Sequence, residues 1–288
     1  MTKRPELIVD PAFVEAGLDA GTIRAIDCTV TFETRPVGAS TIHSGRDAWL
    51  AGHIPGAAYL HMVDDLSDPD GAYPFTIAPQ AQIDRVLSAI GIGPEDTVVL
   101  YGSGTAVAVT RAWWVLSVSG LRDVRIMDGG WQRWVAEGRA VARGEERFTP
   151  STFRGHRNQS AIADRETVKQ AIAAGDVQIV NALSVAQFQG TGGTHYGRPG
   201  RIPNSLSVPA TDLLDPLTGD FAQPDQMARQ IAGIDPAKPV ITYCGGGIAA
   251  AATLFALHVA GHDNLQLYDN SLLEWSAVPD LPMDCDGN

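Results

Sequence analysis

Cysteine is scarce in this chain: three residues, Cys28, Cys244 and Cys285, among 288. An odd count, no Cys-x-x-Cys pair and no companion histidine spacing exclude a disulfide scaffold and a zinc site, and lead us to expect a reduced, cytoplasmic protein. Positive charge is also in short supply, with Lys and Arg at 21 against Asp and Glu at 33 and a net charge of -12. Binding to nucleic acid or to an anionic membrane draws on clustered basic residues, so neither partner is expected. Any anionic substrate must find a local positive site. Long apolar runs are missing too. The longest reaches from Ile248 to Ala260 and is interrupted by Thr253 and His258; it falls short of the ~20 residues that span a bilayer and reads as a buried helix. At the start, Lys3 and Arg4 are followed by Glu6, Asp10 and Pro11, which break any export-signal core, so no such signal is expected.

What the chain has in quantity is turn chemistry, with Gly at 30 and Pro at 18. That predicts many tight turns between short elements and argues against a helical bundle. A hydrophobic share of 44% and a charged share of 19% read as a folded chain, and its length suits about two domains of roughly 150 residues. The chain is in fact written twice. Gly52-His53-Ile54-Pro55-Gly56-Ala57 matches Gly200-Arg201-Ile202-Pro203-Asn204-Ser205, each followed by an acidic stretch, Val63 to Asp70 and Thr211 to Asp215. Val98-Val99-Leu100-Tyr101 matches Val240-Ile241-Thr242-Tyr243, and Trp131 to Trp134 near Asp128 matches Leu272 to Trp275 near Asp269. The offset barely drifts, so a tandem duplication is expected.

Within each copy, short β-branched runs alternate with helix-length segments. Ala25 to Asp27, Thr97 to Tyr101 and Val124 to Met127 are the strand candidates of the first copy; Ile179 to Asn181, Val240 to Tyr243 and Leu265 to Tyr268 are those of the second. Such alternation predicts an α/β fold, each copy a mainly parallel sheet flanked by helices. The Arg-, Gly-, Ser- and Thr-rich segment 142–160 is the expected linker between domains 1–141 and 161–288.

Ligands of open α/β sheets bind beyond the carboxyl ends of the strands. After Tyr101 the first copy reads Gly102-Ser103-Gly104-Thr105, whereas after Tyr243 the second reads Cys244-Gly245-Gly246-Gly247-Ile248-Ala249. A cysteine followed by three glycines and an Ala-rich helix can turn successive N–H groups inward, making an anion-binding nest beside a helix N-terminus. Such donors favour a thiolate, so Cys244 is the candidate nucleophile. A cysteine-based phosphatase needs an arginine closing the loop, and positions 248 to 251 hold Ile and three Ala. A nucleotide P-loop needs Lys and Ser or Thr after its glycines, which are missing as well. No metal or organic cofactor is implied.

Taken together, these motifs resemble the two-domain rhodanese-like sulfurtransferases, which include thiosulfate and 3-mercaptopyruvate sulfurtransferases. The resemblance covers nearly the whole chain and rests on Gly52 to Ala57, Asp128-Gly129-Gly130 with Trp134, Asp212 to Asp215, Cys244 to Ala249 and Tyr268 to Trp275. It implies a catalytically silent first domain and an active second one. There Cys244 takes the outer sulfur of a small donor, holds it as a persulfide among the N–H groups of Gly245, Gly246, Gly247, Ile248 and Ala249, and passes it to a thiol or to cyanide. A sulfur-acceptor protein is a further partner of this kind of chemistry, and a persulfide carrier with little turnover is the alternative to an enzyme.

The resemblance also marks departures. The family places Asp-Ala-Arg after the first strand of the second domain and another arginine downstream; this chain has Asn181-Ala182-Leu183 and Gln187-Phe188. Mercaptopyruvate enzymes carry Ser and Thr where this chain has Gly246 and Ala249, and thiosulfate enzymes carry cationic side chains in that loop. The substitutes expected here are His195, Arg198 and Arg201 in the loop Gly193 to Arg201, either arginine presenting a bidentate fork to the donor, with thiosulfate favoured over 3-mercaptopyruvate. Arg201 has turn packing as its alternative role. His53 occupies the family's proton-relay position with Asp47 as a partner, against capping of its own turn. Trp131, Trp134 and Trp275 are expected in the core.

Overall fold

The computed structural model describes residues 7–215 and 217–286; Lys3, Arg4 and Glu6 of the N-terminal reading lie outside them. In the first half the strands are β1 (Ile8–Val9), β2 (Ile23–Asp27), β3 (Val30–Glu33), β4 (Thr41–Ser44), β5 (Ala58–Tyr59), β6 (Thr97–Tyr101) and β7 (Asp123–Met127). In the second half they are β8 (Ile162–Ala163), β9 (Gln178–Asn181), β10 (Leu206–Ser207), β11 (Val240–Tyr243) and β12 (Leu265–Tyr268). One five-stranded sheet has the order β1-β7-β6-β2-β5 and the other β10-β9-β11-β12-β8. Every pairing within the two sheets is parallel. Reading the second sheet from β8 reproduces the order of the first strand for strand, so the duplication visible in sequence is a duplication of topology. The antiparallel hairpin β3–β4 stands outside both sheets.

The physical cause of the layering is plain in the middle strands. Val98 to Tyr101 of β6 and Val240 to Tyr243 of β11 are buried throughout, as expected of parallel strands covered on both faces. The helices that follow, Ala106–Val118 and Ile248–Val259, are apolar on nearly every side, and such helices have to be enclosed. They pack against each other across the domain boundary, with Trp113 edge-on to Phe255 at a ring separation of 4.8 Å. A single hydrophobic cluster therefore runs through both domains.

The repeated turns are anchored alike. Ile54 N–H donates to the Tyr101 hydroxyl at 3.2 Å and Ile202 N–H to the Tyr243 hydroxyl at 3.0 Å. Trp134 and Trp275 are buried and each donates its indole N–H to a carbonyl a few residues on; Trp131 is only half-buried. The segment between the domains carries neither helix nor strand until the short turn Gln159–Ala161, yet it is strapped to the first domain. Phe153 is fully buried, Ser151 N–H donates to the Ser88 carbonyl, and Arg157 reaches the Ala78 carbonyl at 2.7 Å. Among the described residues no helix is long and apolar enough to cross a membrane.

Candidate active site

Strand β11 delivers Cys244 to the carboxyl end of the second sheet, and the loop Gly245 to Gly247 turns directly into the helix Ile248–Val259. Three hydrogen bonds latch this loop to the chain after β12: Cys244 N–H donates to Ser271 Oγ (3.0 Å), while Leu272 and Leu273 N–H donate to the carbonyls of Cys244 (3.2 Å) and Gly245 (2.8 Å). Ser271 is itself tied back, its hydroxyl donating to the Tyr268 carbonyl at 2.8 Å. The sulfur then accepts a hydrogen bond from Gly247 N–H at 3.1 Å.

Each glycine answers a different neighbour. A Cβ at Gly245 would lie 1.9 Å from Tyr196 Cζ, and one at Gly246 would lie 2.9 Å from Leu273 Cδ1 and 3.2 Å from Phe75 Cδ2. Gly247 adopts φ +81°, and its Cβ would stand 2.5 Å from the Asp269 carbonyl oxygen. With the loop so drawn in, the N–H groups of Gly245 and Gly246 meet no protein acceptor among the described residues. Those of Ile248 and Ala249 open the helix, where no intrahelical acceptor exists and no side chain caps. Amide donors thus surround the cysteine in sequence, one of them already on sulfur, at the positive end of a helix dipole.

Cys244 is 3% exposed, but it lies on the wall of a cavity of about 160 Å³. The first domain contributes Phe32, Ala39, Ser40, Phe75 and Val107 to this wall; the second contributes Leu183, Tyr196, Gly246, Ile248, Ala249 and Leu273. Burial, with Cys244 nearby, pushes the Tyr196 phenol well above its ordinary pKa, so it stays protonated and keeps an O–H to donate. Leu183 stands where the resemblance places an arginine. Asn181, in the position of the family's Asp, accepts from Leu183 N–H at 2.8 Å, as Asp27 does from Thr29 N–H in the first copy.

The basic residues expected at the donor are placed elsewhere. Arg198 spends its guanidinium on main-chain carbonyls, those of Val278 and Leu281 at 2.8 Å, Ser276 at 3.1 Å and Trp275 at 3.3 Å. It clamps the C-terminal segment and does not line the Cys244 cavity. Arg201 pairs with Asp286 (2.8 Å), donates to the Phe188 carbonyl and stacks over the Phe188 ring, while its backbone bridges Asp284. Its counterpart His53 makes the same kind of bridge with Ala142, so the two repeated turns are held in the same way. His195 Nδ1 donates to the Gly197 carbonyl at 2.7 Å and its backbone joins residues 36 to 38 of the first domain. It lines a neighbouring cavity of about 270 Å³ together with Arg198 and Tyr196.

His53 corrects the proton-relay expectation. It is fully buried, stacked on Trp49, with Nδ1 on the Trp49 carbonyl (2.7 Å) and Nε2 facing Glu146 rather than Asp47 (3.2 Å). Both nitrogens are engaged, one by the helix that precedes the turn and the other by the segment between the domains. Cys28 is buried as well, and burial, followed by the nearby Asp27 and Asp65, pushes its thiol well above the ordinary range. Cys285 packs against Gly190.

Two contributors escaped the sequence reading. Tyr196 sits inside the loop singled out for its cations, and Arg111 lies in an otherwise largely apolar helix of the first domain. Arg111 is 1% exposed; its Nη2 donates to Asp269 Oδ1 (2.7 Å) and to the Phe75 carbonyl (2.5 Å), its Nη1 to the Gly247 carbonyl (3.4 Å), and it lies over the Trp114 ring. A lone arginine in an apolar helix was the available signal, since a buried charge demands a partner.

Comparison with known proteins agrees with this geometry. The rhodanese-like domain family matches residues 10–137 and 164–278. A Pseudomonas aeruginosa protein named "Probable 3-mercaptopyruvate sulfurtransferase" is 30% identical over 277 residues, 93% of this chain and 94% of that protein. SseB of Mycobacterium tuberculosis, provisionally named a thiosulfate sulfurtransferase, is 30% identical over 246 residues, 83% of this chain and 85% of its own. The crystal structure of SseA from Escherichia coli, described as a 3-mercaptopyruvate sulfotransferase of rhodanese fold, superposes with a TM-score of 0.81 at 26% identity, covering 93% of this chain and 99% of that one.

Proposed function

This chain belongs to the rhodanese-like family and is a sulfurtransferase, and we propose that it works through a persulfide on Cys244. The observation that carries the proposal is the Gly247 N–H donated to the Cys244 sulfur at 3.1 Å, on the wall of a cavity. In the first half-reaction the Cys244 thiolate attacks the outer sulfur of a donor. With thiosulfate the S–S bond breaks and sulfite leaves with the electron pair; with 3-mercaptopyruvate the C–S bond breaks and pyruvate leaves after taking a proton at carbon. In the second, a thiol or cyanide attacks the terminal sulfur and Cys244 is released as thiolate. Negative charge on the terminal sulfur is met by the free amides of Gly245, Gly246, Ile248 and Ala249, beside that of Gly247 already on the cysteine sulfur, preorganised donors that need no reorientation.

Arg198 and Arg201, the forks expected for thiosulfate or a carboxylate alike, have their guanidinium groups committed to carbonyls and to Asp286. Main-chain amides are left to hold the donor's charge, so thiosulfate and 3-mercaptopyruvate stand level as first donors to test. The same lack of a cationic side chain on the cavity favours a second reading, a persulfide carrier that loads once and waits for a sulfur-acceptor protein. Steady-state formation of thiocyanate from thiosulfate and cyanide, and of pyruvate from 3-mercaptopyruvate with a thiol, separates the two. Saturable turnover that vanishes in Cys244→Ser is expected of the enzyme. A single loading without turnover supports the carrier, and full turnover by Cys244→Ser defeats both.

A further inference from the structure

We propose that the sulfur donor of this site carries an apolar group of about benzene size, seated in the cavity that the two domains build over Cys244. The inference rests on the persulfide reading above and adds what the leaving part of the donor must look like. The side chains that shape the cavity are Phe32, Phe75 and Val107 from the first domain and Leu183, Leu273 and Tyr196 from the second. Its polar side chains, apart from the cysteine, are the Ser40 hydroxyl and the Tyr196 phenol, and no charged side chain lines it among the described residues. An anionic head group placed against that wall loses its water without gaining a cation. The unspent amides lie on the cysteine loop, where they meet the transferred sulfur, and the side chains of Phe32, Phe75 and Leu183 add no donor to the wall.

Size agrees with polarity. The cavity measures about 160 Å³, and an apolar protein cavity of about 150 Å³ is known to admit benzene. Tyr196, kept protonated by burial, supplies one neutral donor for a leaving thiolate. The step balances for an organic persulfide, R–S–SH: the Cys244 thiolate bonds to the outer sulfur, the S–S bond breaks, and the departing RS⁻ takes the proton of that outer sulfur. Cys244–S–S⁻ and R–SH result. An aryl thiosulfonate follows the same path, with the arylsulfinate leaving with the electron pair.

The test compares benzenethiosulfonate with methanethiosulfonate, which share charge and sulfane sulfur and differ only in the apolar group, with thiosulfate as a third donor. The ratio of kcat/KM for the aryl over the methyl compound, divided by the same ratio for free glutathione, is expected to be about tenfold or more, the worth of burying a ring in place of a methyl. Ala39→Leu, which fills the cavity, is expected to bring that quotient close to one. Ala249→Lys, which adds a cation to the wall, is expected to raise turnover of thiosulfate relative to the aryl donor. A wild-type quotient near one, or thiosulfate outperforming benzenethiosulfonate, overturns the inference while leaving the persulfide intact. Failure of all three donors to place sulfur on Cys244 overturns the reading beneath it.

Discussion

Arg111 of the first domain and Asp269 of the second form a buried pair, Nη2 to Oδ1 at 2.7 Å, directly behind the cysteine loop. The same guanidinium bonds the carbonyls of Gly247 and Phe75, and the other Asp269 oxygen accepts from Ile77 N–H at 2.7 Å. The first domain, which has Gly102 where the second has Cys244, therefore still shapes the candidate site. It supports the end of the loop after Cys244 and brings Phe75 to the cavity wall.

Arg111→Met is expected to destabilise the protein by ~3–5 kcal/mol, because it leaves Asp269 buried without its cation. Denaturant unfolding measures this. Arg111→Met with Asp269→Leu is expected to recover part of that stability, since no buried charge is left unpaired, while Ile77 N–H and the Phe75 carbonyl still lose their partners. Equal destabilisation in the single and double variants would contradict a coupled pair.

The three glycines are expected to respond differently to alanine. At Gly247 the new Cβ meets the Asp269 carbonyl and the backbone has φ +81°, so Gly247→Ala combines ~1–3 kcal/mol of backbone strain with a clash that no side chain can relieve. At Gly245 the obstacle is the ring of Tyr196. Sulfur loading lost in Gly245→Ala is therefore expected to return in part in Gly245→Ala with Tyr196→Ala. Gly247→Ala is expected to gain nothing from the same second change. Persulfide yield per protein, read by cyanide discharge, distinguishes the cases.

Much of this was legible in the sequence, and the rest was hidden for identifiable reasons. The runs Thr97 to Tyr101 and Val240 to Tyr243 are continuous apolar strands in the structure, because parallel strands covered on both faces need apolar residues throughout. The Cys244 to Gly247 loop was readable because only glycine tolerates such close neighbours. The hairpin β3–β4 was missed: Val30 to Glu33 and Thr41 to Ser44 are only four residues each, and the seven residues between them, although they include Pro36 and Gly38, are longer than a tight hairpin loop. Yet this hairpin and the residues at its tip supply Phe32, Ala39 and Ser40 to the cavity. Arg198 and Arg201 misled because a sequence displays charge but not the unpaired carbonyls of a C-terminal segment that needs clamping. The cavity belongs to an interface between domains, and no local pattern encodes it.

Alkaline pH is expected to weaken the fold through Tyr243. Burial raises its pKa from 10.0 to about 12. Below pH 10 the phenol is neutral in both folded and unfolded chains, so its contribution is intact there. Above 10 the unfolded chain ionises while the folded one resists, and stability falls as pH rises towards 12. Denaturant midpoints between pH 9 and about 12 are expected to decline less steeply in Tyr243→Phe. That variant also forfeits the acceptor for Ile202 N–H and starts about 1 kcal/mol less stable. An identical slope in both proteins would remove Tyr243 from the cause.

The cysteines are expected to separate by reactivity. Cys28 is buried and its thiol is pushed well up by burial and by Asp27 and Asp65, so iodoacetamide at neutral pH is expected to leave it unmodified in the folded protein. Cys244, on the cavity wall, is expected to react first, and prior loading with a sulfane donor is expected to alter its labelled product. Peptide mapping after timed alkylation reads both outcomes. Faster labelling of Cys28 would contradict the assignment.

The most direct test follows the transferred sulfur itself. The protein is incubated with a sulfane donor, freed of it, and mapped by peptide mass spectrometry under non-reducing conditions, beside Cys244→Ser and Cys28→Ser. One additional sulfur atom on the peptide holding Cys244, absent in Cys244→Ser, retained in Cys28→Ser and removed by cyanide, is the expected result. Sulfur found on Cys28 or Cys285, or on no cysteine with any donor, contradicts a persulfide held by the loop after β11.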